Sequence, residues 1–466
     1  MTQRFHLIGI GGIGMSALAQ ILLARGASVS GSDLQESEMT SRLSSLGAVV
    51  RIGHRAENVD GAERVIVSDA IHEDNPELRR ARELGIPIQR RSEVLAELMA
   101  GHRGIAVAGT HGKTTVTAMI GLILVEAELD PTIELGGEYD PIGGNARAGR
   151  GEWFLAEACE AYESFLDLRP EIAVVTNIEP DHLDHHKTVR HLRASFVQFL
   201  SGVAAEGTIV LCADRPELRD LRLPVGRRVL WYGADVSAQL RGVEIASAGS
   251  SGWCRLIVDG RDAGVLTIAA PGVHNVVNAL GAAAASLAAG APVAVCLRAL
   301  AGFSGVGRRF EVLGEGSGVT VVDDYAHHPT EIAATIAAAR SAFPGRRIVA
   351  LFQPHLYSRT RDFAEAFAEA LRAADLTVLT EIYPAREAPI PGVNAGLIAD
   401  HLRGLAGEDA VIEMAKDEVA GKLPAALRAG DVVLCMGAGD IGRAARDLVR
   451  GLGACSSRDH QVMTKQ

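Results

Sequence analysis

The sequence AGTHGKTT at residues 108–115 decides the fold of the middle of the chain. The apolar residues 105–108 that lead into it predict a buried strand, and residues 116–124 after it predict a helix. Glycines between a strand and the N-terminus of a helix let several backbone N–H groups converge on one point. A polyphosphate is the anion that needs such a cradle, so the segment predicts an ATP site.

Two side chains of this loop suit ATP that carries Mg²⁺. Lys113 can reach the outer phosphates, and the hydroxyl of Thr114 can bind the metal ion. Lysine is scarce, at positions 113, 187, 416, 422 and 465, and its use here indicates that a compact ammonium is required. The predicted ATP-binding residues are Gly109, Thr110, His111, Gly112, Lys113, Thr114 and Thr115. The loop is shorter than the common P-loop, so a tight turn that binds nothing stays an alternative.

The composition is that of an ordinary globular protein. At 466 residues the chain is too long for one core, and its net charge of −11 without a basic run argues against a nucleic-acid partner. The six cysteines form no CxxC pair, which indicates a cytoplasmic location. The N-terminus enters a predicted strand at once, so no signal peptide is expected. The uncharged, alanine-rich residues 279–297 predict a buried helix followed by a turn, and no membrane partner.

A second glycine motif lies near the N-terminus. Gly9-x-Gly11-x-x-Gly14 follows a predicted strand, and Asp33 comes 19 residues after Gly14. This spacing is that of a dinucleotide fingerprint, so Gly9, Gly11, Gly12, Gly14 and Asp33 are predicted to form a nucleotide site. A GxGxxG motif alone is also compatible with a turn that binds nothing. Two phosphate cradles in one chain indicate that one substrate carries a pyrophosphate while ATP is consumed.

Polar residues follow two strands of the predicted central sheet. Glu157 ends the strand that begins at residue 153, and NIEPDHLDHH at residues 177–186 follows the strand that begins at residue 172. Because the carboxyl ends of parallel strands meet at one edge, Glu157 and His182 are candidate Mg²⁺ ligands. Imidazole is an unusual ligand for magnesium, and a solvated loop is the alternative for these histidines.

The last third of the chain suits a small molecule that carries a carboxylate and an amine. DDYAHHP at residues 323–329 and FQPHLYSRTR at residues 352–361 each follow a predicted strand, and Arg359 can pair with a carboxylate. Upstream, Asn275 and Asn278 share one face of a predicted helix and can bind the edge of a base, unless one of them is simply an N-cap.

The chain resembles the Mur ligases over nearly its whole length. The motifs that carry the resemblance, in order, are GIGGIGM, AGTHGKTT, NIEPDHLDHH, HNVVNALGA, GVGRRFE, DDYAHHPTEI, FQPHLYSRT and GAGDIG. The resemblance implies an α/β fold of three domains: an N-terminal Rossmann-like domain, a central P-loop ATPase-like domain with extra β strands, and a C-terminal Rossmann-like domain. We expect residues 1–92 to bind a UDP sugar, 93–305 ATP and 306–453 an amino acid, and residues 454–466 to form a disordered tail.

The resemblance also implies roles for single residues. The implied catalytic residues are Lys113, His182 and Arg308, and the implied Mg²⁺ ligands are Thr114, Glu157 and His182. Asn275 and Asn278 would hold the adenine of ATP, and Asp324 its ribose. Gly9, Gly11, Gly12, Gly14 and Asp33 would bind the UDP sugar. The residues implied to hold alanine are Tyr325, His327, His355 and Arg359.

The function that the resemblance implies is amide formation driven by ATP. The motifs favour addition of L-alanine to the carboxylate of UDP-N-acetylmuramate through an acyl phosphate, the first amino-acid addition in peptidoglycan synthesis. The close alternative is addition of a recycled tripeptide to the same nucleotide sugar. A nicotinamide-dependent oxidoreductase and a non-catalytic nucleotide-binding scaffold are the more distant ones.

This chain also departs from the family pattern. Many relatives have arginine where it has Leu356, so its alanine site depends on Arg359 among these arginines. Relatives often show Asp-Glu-Ser-Asp where this chain has Cys159-Glu160-Ala161-Tyr162. Residues 189–200 contain no lysine, so we expect no carbamylated lysine at the metal site.

Overall fold

The computed structural model describes residues 3–68, 70–385, 387–453 and 455–456. Within these residues, three β-sheets follow one another along the chain, each built mainly of parallel strands and accompanied by helices. Parallel strands need long crossovers, which explains why apolar runs alternate with helical segments in the sequence. The predicted α/β fold class is confirmed.

The first sheet has the strand order β3-β2-β1-β4-β5, and all its strand pairs are parallel. Its strands are β1 (Arg4–Ile8), β2 (Ser28–Asp33), β3 (Val49–Ile52), β4 (Arg64–Val67) and β5 (Ile88–Arg90). Its helices are α1 (Ile13–Ala24), α2 (Glu38–Ser45), α3 (Pro76–Glu83) and α4 (Arg91–Met99), with a 3₁₀ turn at Ala56–Val59. Ser37 caps α2 by accepting a hydrogen bond from the Thr40 amide.

The second sheet has the order β15-β14-β13-β12-β11-β10-β6-β9-β7-β8. Its strands are β6 (Arg103–Ala108), β7 (Thr132–Tyr139), β8 (Gly144–Arg147), β9 (Trp153–Glu157), β10 (Ile172–Val175), β11 (Thr208–Cys212), β12 (Arg228–Gly233), β13 (Leu240–Ala248), β14 (Ser251–Val258) and β15 (Arg261–Ile268). The α-helices of this region are α5 (Lys113–Glu126), α6 (Leu183–His186), α7 (Val189–Ser201), α8 (Pro216–Arg219), α9 (Val273–Ala288) and α10 (Val293–Ala301). Two 3₁₀ segments lie at Asp140–Ile142 and Ala161–Asp167.

The alanine-rich stretch forms most of α9 followed by a turn, as predicted, and it then enters α10, which was not predicted. Its alanines pack in the interior, for example Ala282 and Ala285 at 0% exposure. Within the described parts of the chain, no helix is both long enough and apolar enough to cross a membrane.

The third sheet has the order β20-β19-β18-β21-β17-β16-β22. Its strands are β16 (Glu311–Gly316), β17 (Val319–Asp324), β18 (Ile348–Phe352), β19 (Leu376–Leu379), β20 (Val411–Glu413), β21 (Val432–Met436) and β22 (Cys455–Ser456). Its helices are α11 (Pro329–Ala342), α12 (Tyr357–Leu371), α13 (Gly396–Ala406), α14 (Val419–Lys422) and α15 (Ile441–Gly451), with 3₁₀ turns at Glu408–Ala410, Lys416–Glu418 and Leu423–Ala426. Of the tail predicted to be disordered, β22 pairs with β16, while residues 454 and 457–466 lie outside the described residues.

Strands β10, β11, β18 and β21 are buried along their whole length. Central parallel strands covered by helices on both faces show this pattern, and it explains their continuous apolar runs. Polar residues therefore collect at the carboxyl ends of the strands, where α/β proteins bind ligands.

The chain divides into two compact units. The first comprises the chain up to Val243, Arg255–Leu266 and Val277–Phe303, and the second comprises Glu244–Cys254, Thr267–Val276 and the chain from Ser304 onwards. The second unit thus includes two segments from the middle of the chain. Within it, Ser341 Oγ donates to the Ser247 carbonyl at 2.7 Å, and the Gly272 amide donates to Ser247 Oγ at 2.8 Å.

Candidate active site

The phosphate loop, residues 109–112, joins β6 to α5 and requires glycine at two positions. Gly109 has a φ of +133°, and a Cβ there would lie 2.1 Å from Thr176 Oγ1. Gly112 has a φ of +81°, and a Cβ there would lie 2.8 Å from Asn278 Oδ1. Because glycine alone tolerates both the conformation and the crowding, the backbone can turn sharply into the N-terminus of α5.

Hydrogen bonds from the segment after β10 fix the shape of this loop. The His111 amide donates to Asn177 Oδ1 at 2.9 Å, and Thr176 Oγ1 donates to the His111 carbonyl at 2.6 Å. The Glu179 amide donates to Thr110 Oγ1 at 2.9 Å. The protein itself therefore holds the loop in shape, which lowers the entropy cost of binding phosphates. Sequence analysis gave Thr176 and Asn177 no role, although the adjacency of β6 and β10 brings them here.

Lys113 lies at the first position of α5 and is paired with a buried carboxylate. Its Nζ atom lies 3.0 and 3.1 Å from the two carboxylate oxygens of Glu160 and donates to the Gly109 carbonyl at 2.5 Å. Burial lowers the pKa of Lys113, but the charge of Glu160 outweighs it and holds this pKa above its ordinary value. Lys113 is thus a permanent cation at the mouth of the loop.

Thr114 and Glu157 come together beside Lys113. Thr114 Oγ1 donates to Glu157 Oε2 at 3.1 Å, and the Gly136 amide donates to Glu157 Oε1 at 2.6 Å. Hydroxyl and carboxylate oxygens are the hard donors that Mg²⁺ prefers, so the chemistry of this pair fits the ion. Thr115, also predicted to bind ATP, is 7% exposed in the first turn of α5.

A buried carboxylate that sequence analysis missed lies beside Glu157. Glu134 is 2% exposed, pairs with Arg91 Nη1 at 2.9 Å, and its Oε2 atom has no hydrogen-bond partner. Burial raises the pKa of Glu134 to about 7, while Arg91 opposes the rise and Glu157 adds to it. A Cβ at Gly14 would lie 3.1 Å from Arg91 Cζ, so Arg91 reaches from the N-terminal glycine loop to Glu134.

His182 lies immediately before α6 with a left-handed φ of +50°. Its amide donates to Asp181 Oδ1 at 2.8 Å, and its Nε2 atom lies 3.9 Å from Asp181 Oδ2. The structure thus gives His182 a carboxylate neighbour on its own segment, whereas Lys113, Thr114 and Glu157 converge around the start of α5.

The N-terminal glycine motif forms the turn between β1 and α1. The Gly11 amide donates to Asp33 Oδ2 at 2.9 Å, and a Cβ at Gly11 would lie 2.9 Å from that same oxygen. Gly9 has a φ of +78°, and the Gly12 amide donates to its carbonyl at 3.1 Å. Asp33 and the glycines thus lie together, with Asp33 holding the loop through a backbone hydrogen bond, and their role as a nucleotide site stays a prediction.

The two asparagines predicted to bind adenine lie within α9. This helix begins at Val273, so neither of them is its N-cap and that alternative is wrong. Asn278 approaches Gly112, as described above. Asn275 donates through Nδ2 to the Pro271 carbonyl at 2.8 Å.

In the second unit, Asp324 and Arg308 organise the end of β17. Asp324 accepts hydrogen bonds from the amides of Phe310 at 2.8 Å and Ala326 at 2.7 Å, and burial raises its pKa to about 6. Arg308 donates through Nη2 to the Gly437 carbonyl at 2.8 Å and forms an ion pair at 3.4 Å with the buried Asp323. Its guanidinium also lies 5.0 Å from the centre of the Tyr325 ring.

The four residues predicted to hold alanine come together. The Tyr325 and His327 rings are 5.3 Å apart, and the His327 and His355 rings are 6.1 Å apart. Arg359, which is 5% exposed, places Nη1 at 3.1 Å from His355 Nδ1. Tyr383, which sequence analysis missed, stacks on His355 with ring centres 5.7 Å apart. A guanidinium can pair with a carboxylate through two parallel hydrogen bonds, so this cluster has the chemistry to bind a small carboxylate.

Models of the Mur ligase family match three consecutive parts of the chain. The one described as "Mur ligase family, catalytic domain" matches residues 4–103, and "Mur ligase middle domain" matches residues 107–286. The one described as "Mur ligase, glutamate ligase domain" matches residues 308–439.

Similar proteins cover nearly the whole chain. A UDP-N-acetylmuramate–L-alanine ligase of Geobacter sp. (strain M21) is 46% identical over 439 residues, which are 94% of this chain and 95% of that protein. The crystal structure of UDP-N-acetylmuramate-alanine ligase from Thermotoga maritima matches with a TM-score of 0.82 at 31% identity, covering 96% of this chain and 98% of that one. The structure of a murein peptide ligase from Psychrobacter arcticus 273-4 matches with a TM-score of 0.73 at 24% identity, covering 97% of this chain and 99% of that one. This match shows that the two proteins share the fold.

Proposed function

The chain belongs to the Mur ligase family, and from that premise we propose that it joins L-alanine to the carboxylate of UDP-N-acetylmuramate at the expense of ATP. The observation that carries the proposal is the convergence of Lys113, Thr114 and Glu157 at the N-terminus of α5. The names of the similar proteins at 46% and 31% identity support alanine as the amine. The tripeptide alternative has less support, because the similar protein at 46% identity over 94% of this chain is named an alanine ligase.

The chemistry explains why both phosphate sites and an amino-acid site are needed. A carboxylate is a poor electrophile, so the γ-phosphoryl group of ATP is first transferred to it, giving an acyl phosphate and ADP. The alanine amine then attacks the acyl carbon, the amide bond forms and phosphate leaves. Transfer of this kind depends on positioning and on neutralising phosphate charge.

Residues of the first unit supply that positioning. Lys113 stabilises charge on the outer phosphates. When ATP binds, its ammonium group leaves the Glu160 carboxylate and pairs with phosphate oxygens, so the cation is paired in both states. Thr114 and Glu157 would hold Mg²⁺, with His182 as the further proposed ligand. When bound, the ion neutralises phosphate charge. The phosphate loop would hold ATP, and the Gly9–Gly14 loop with Asp33 would hold the UDP sugar.

Residues from the later part of the chain complete the proposed assignments. Asp324 would bind ribose, Asn275 together with Asn278 would bind adenine, and Arg308 would approach the phosphates. Arg359 would pair with the alanine carboxylate, with Tyr325, His327 and His355 around it. Both carboxylate oxygens of Asp324 already accept backbone N–H groups, so ribose would have to share them.

The proposed division into domains follows the three sheets. We propose residues 1–99, 100–305 and 306–453 as the UDP-sugar, ATP and amino-acid domains. The boundary predicted at 92 is moved to the end of α4 because position 92 falls inside that helix. A cytoplasmic location is proposed because the reaction consumes ATP and the five cysteines whose side chains the structure describes are free thiols.

The test is phosphate release from ATP and Mg²⁺ by the purified protein with UDP-N-acetylmuramate, with and without L-alanine. Release that requires both, with a product heavier by one alanine residue, is the expected result. The variant Lys113→Ala should lose at least about a hundredfold in kcat, whereas Lys422→Ala, at a side chain 63% exposed, should keep it. Release that depends on a tripeptide and not on alanine would replace this proposal with the alternative.

A further inference from the structure

A cluster of metal-ligating side chains lies outside the proposed active site. Glu163, His186 and His191, here called the Glu163 cluster, each place one ligand atom within 4.8 Å of the other two. They belong to the 3₁₀ segment Ala161–Asp167, to the end of α6 and to the first turn of α7. None of them has a role in the proposed ligation.

Both histidines of the Glu163 cluster are oriented by hydrogen bonds to backbone carbonyls. His186 Nε2 lies 3.1 Å from the Glu160 carbonyl oxygen, and His191 Nδ1 lies 3.1 Å from the His186 carbonyl oxygen. Because a carbonyl oxygen can only accept, these nitrogens carry the protons and the other nitrogen of each ring keeps its lone pair. Metal-ligating histidines are held in this way.

The lone pair of His186 has no partner in the protein. His186 is 0% exposed, and its Nδ1 atom makes no hydrogen bond. Burying a polar atom without a partner is unfavourable, which indicates that something other than the protein satisfies it. Burial also lowers the pKa of His186, so the imidazole stays neutral and able to donate its lone pair.

Glu163 supplies the negative charge of the cluster. Its Oε1 atom lies 3.5 Å from His191 Nε2 and accepts a hydrogen bond from the Ser195 hydroxyl. Its backbone has a left-handed φ of +57°, which brings the carboxylate to α7, where both partners lie. His185 Nε2 lies 4.0 Å from Glu163 Oε2, so a further imidazole is close.

We propose that the Glu163 cluster binds one divalent transition-metal ion, preferentially Zn²⁺, through His186 Nδ1, His191 Nε2 and the Glu163 carboxylate. Two imidazoles and one carboxylate suit zinc, and the fourth position is left to water or His185. Mg²⁺ prefers oxygen ligands, so the site is chemically distinct from the Thr114–Glu157 pair. The Glu163 and His191 side chains are 30% and 52% exposed, which gives the ion a path from solvent.

The site would join three chain segments next to the phosphate loop. His186 is hydrogen-bonded to the backbone of Glu160, whose carboxylate pairs with Lys113. A bound ion would therefore also stabilise the segment that carries this carboxylate.

The experiment uses tag-free full-length protein, stripped with a chelator and kept in excess Mg²⁺ so that oxygen-ligand sites are filled. Zn²⁺ is titrated calorimetrically, and Co²⁺ is followed by its visible absorption. We expect one Zn²⁺ per chain and a rise in Tm on binding. Glu163→Gln and His191→Gln should each weaken Zn²⁺ binding by about tenfold or more and abolish the rise in Tm.

The matched control is His72→Gln, which removes a histidine with a side chain 91% exposed. It should bind Zn²⁺ as the wild type does, and circular dichroism should show that all three variants are folded. Failure of the wild type to bind Zn²⁺, or equal binding by Glu163→Gln, His191→Gln and the wild type, would overturn the proposal. Neither result bears on alanine-dependent phosphate release.

Discussion

Gly112 and Gly26 share a backbone conformation but differ in what surrounds them. Their φ angles are +81° and +82°, yet a Cβ on Gly112 would meet Asn278 Oδ1 at 2.8 Å, whereas a Cβ on Gly26 would meet nothing within 4 Å. The left-handed conformation costs an alanine about 1–2 kcal/mol at either position. A comparison of the two alanine variants therefore separates backbone strain from crowding of the phosphate loop.

We expect Gly112→Ala to raise the KM for ATP by about ten- to hundredfold, because the loop must shift away from Asn278. Gly26→Ala should leave this KM unchanged. Backbone strain should lower the free energy of unfolding of both variants by about 1–2 kcal/mol, and Gly112→Ala should lose more because its Cβ also crowds Asn278. Steady-state kinetics and thermal unfolding give the two quantities, and an equal KM for ATP in both variants would contradict the assignment of the loop.

Glu134 should make stability depend on pH. Burial raises its folded-state pKa from 4.5 to about 7, so between these values the folded chain binds a proton that the unfolded chain has released. The contribution of Glu134 to the free energy of unfolding is therefore fully present below pH 4.5 and lost as the pH rises through about 7. The free energy of unfolding changes by about 3 kcal/mol over this range.

Glu134→Gln cannot ionise, so its Tm relative to the wild type should rise from about pH 5 to about pH 8. Thermal unfolding over this range is the measurement. The control Glu152→Gln, at a side chain 81% exposed, should show a constant difference from the wild type. If the Tm difference between Glu134→Gln and the wild type were also constant over this pH range, Glu134 would ionise with an ordinary pKa.

The sequence predicted the contacts that local motifs encode and missed those that depend on distant pairing. Lys113 and Thr114 were found because they follow a recognisable strand, and Glu157 because it ends one. Glu134 lies inside β7, and its partner Arg91 is at the start of α4, 43 residues away. No local pattern signals a pair that joins a strand to a helix 43 residues away along the chain.

At the scale of elements, α12 carries two arginines in different environments. Arg359 is 5% exposed and contacts His355, whereas the Arg361 side chain is 53% exposed and pairs with Asp362. Arg359→Lys should raise the KM for alanine about tenfold or more, because an ammonium cannot make the planar two-point contact. The KM for UDP-N-acetylmuramate should change little.

Arg361→Lys is the matched control on the same helix and should leave both KM values unchanged. Equal rises in the two KM values of Arg359→Lys would indicate that α12 has lost its structure, and an unchanged KM for alanine would remove Arg359 from the alanine site.

Element boundaries were harder to predict than elements. Helix α5 begins at Lys113 although the apolar pattern starts at residue 116, because its first turn is polar. Helix α4 crosses the predicted domain boundary at 92, since a short linking helix leaves no change in composition. Leu356, noted as a departure, has a φ of +70° and is 5% exposed before α12. Such a conformation for leucine is set by its surroundings and not by its own preference.

At the scale of the molecule, the two compact units are expected to unfold in separate calorimetric transitions. Glu77 tests this, because it is 0% exposed in the first unit and accepts hydrogen bonds of 2.7 Å from both Ser32 and Asn58. Burial opposes its ionisation, but hydrogen bonds from His6, Ser32 and Asn58 outweigh this and lower its pKa to about 2.

Glu77→Gln should lower the Tm of the transition of the first unit and leave the Tm of the second unit's transition unchanged. The depressed pKa stabilises the fold above pH 4.5 by about 3 kcal/mol, and this contribution is lost as the pH falls through about 2. The difference in free energy of unfolding between Glu77→Gln and the wild type should therefore be largest at neutral pH and decrease in acid. A single transition that shifts as a whole would show that the units unfold together.

The division into units also constrains how this enzyme can be taken apart. The polypeptide passes from one unit to the other after Val243, Cys254, Leu266, Val276 and Phe303. A gene fragment that starts at Ser304 would omit Ser247 and Gly272 and leave Ser341 without the carbonyl to which it donates. Exchanging the second unit between relatives, to build chimaeras, therefore requires three separate stretches of gene rather than one cassette.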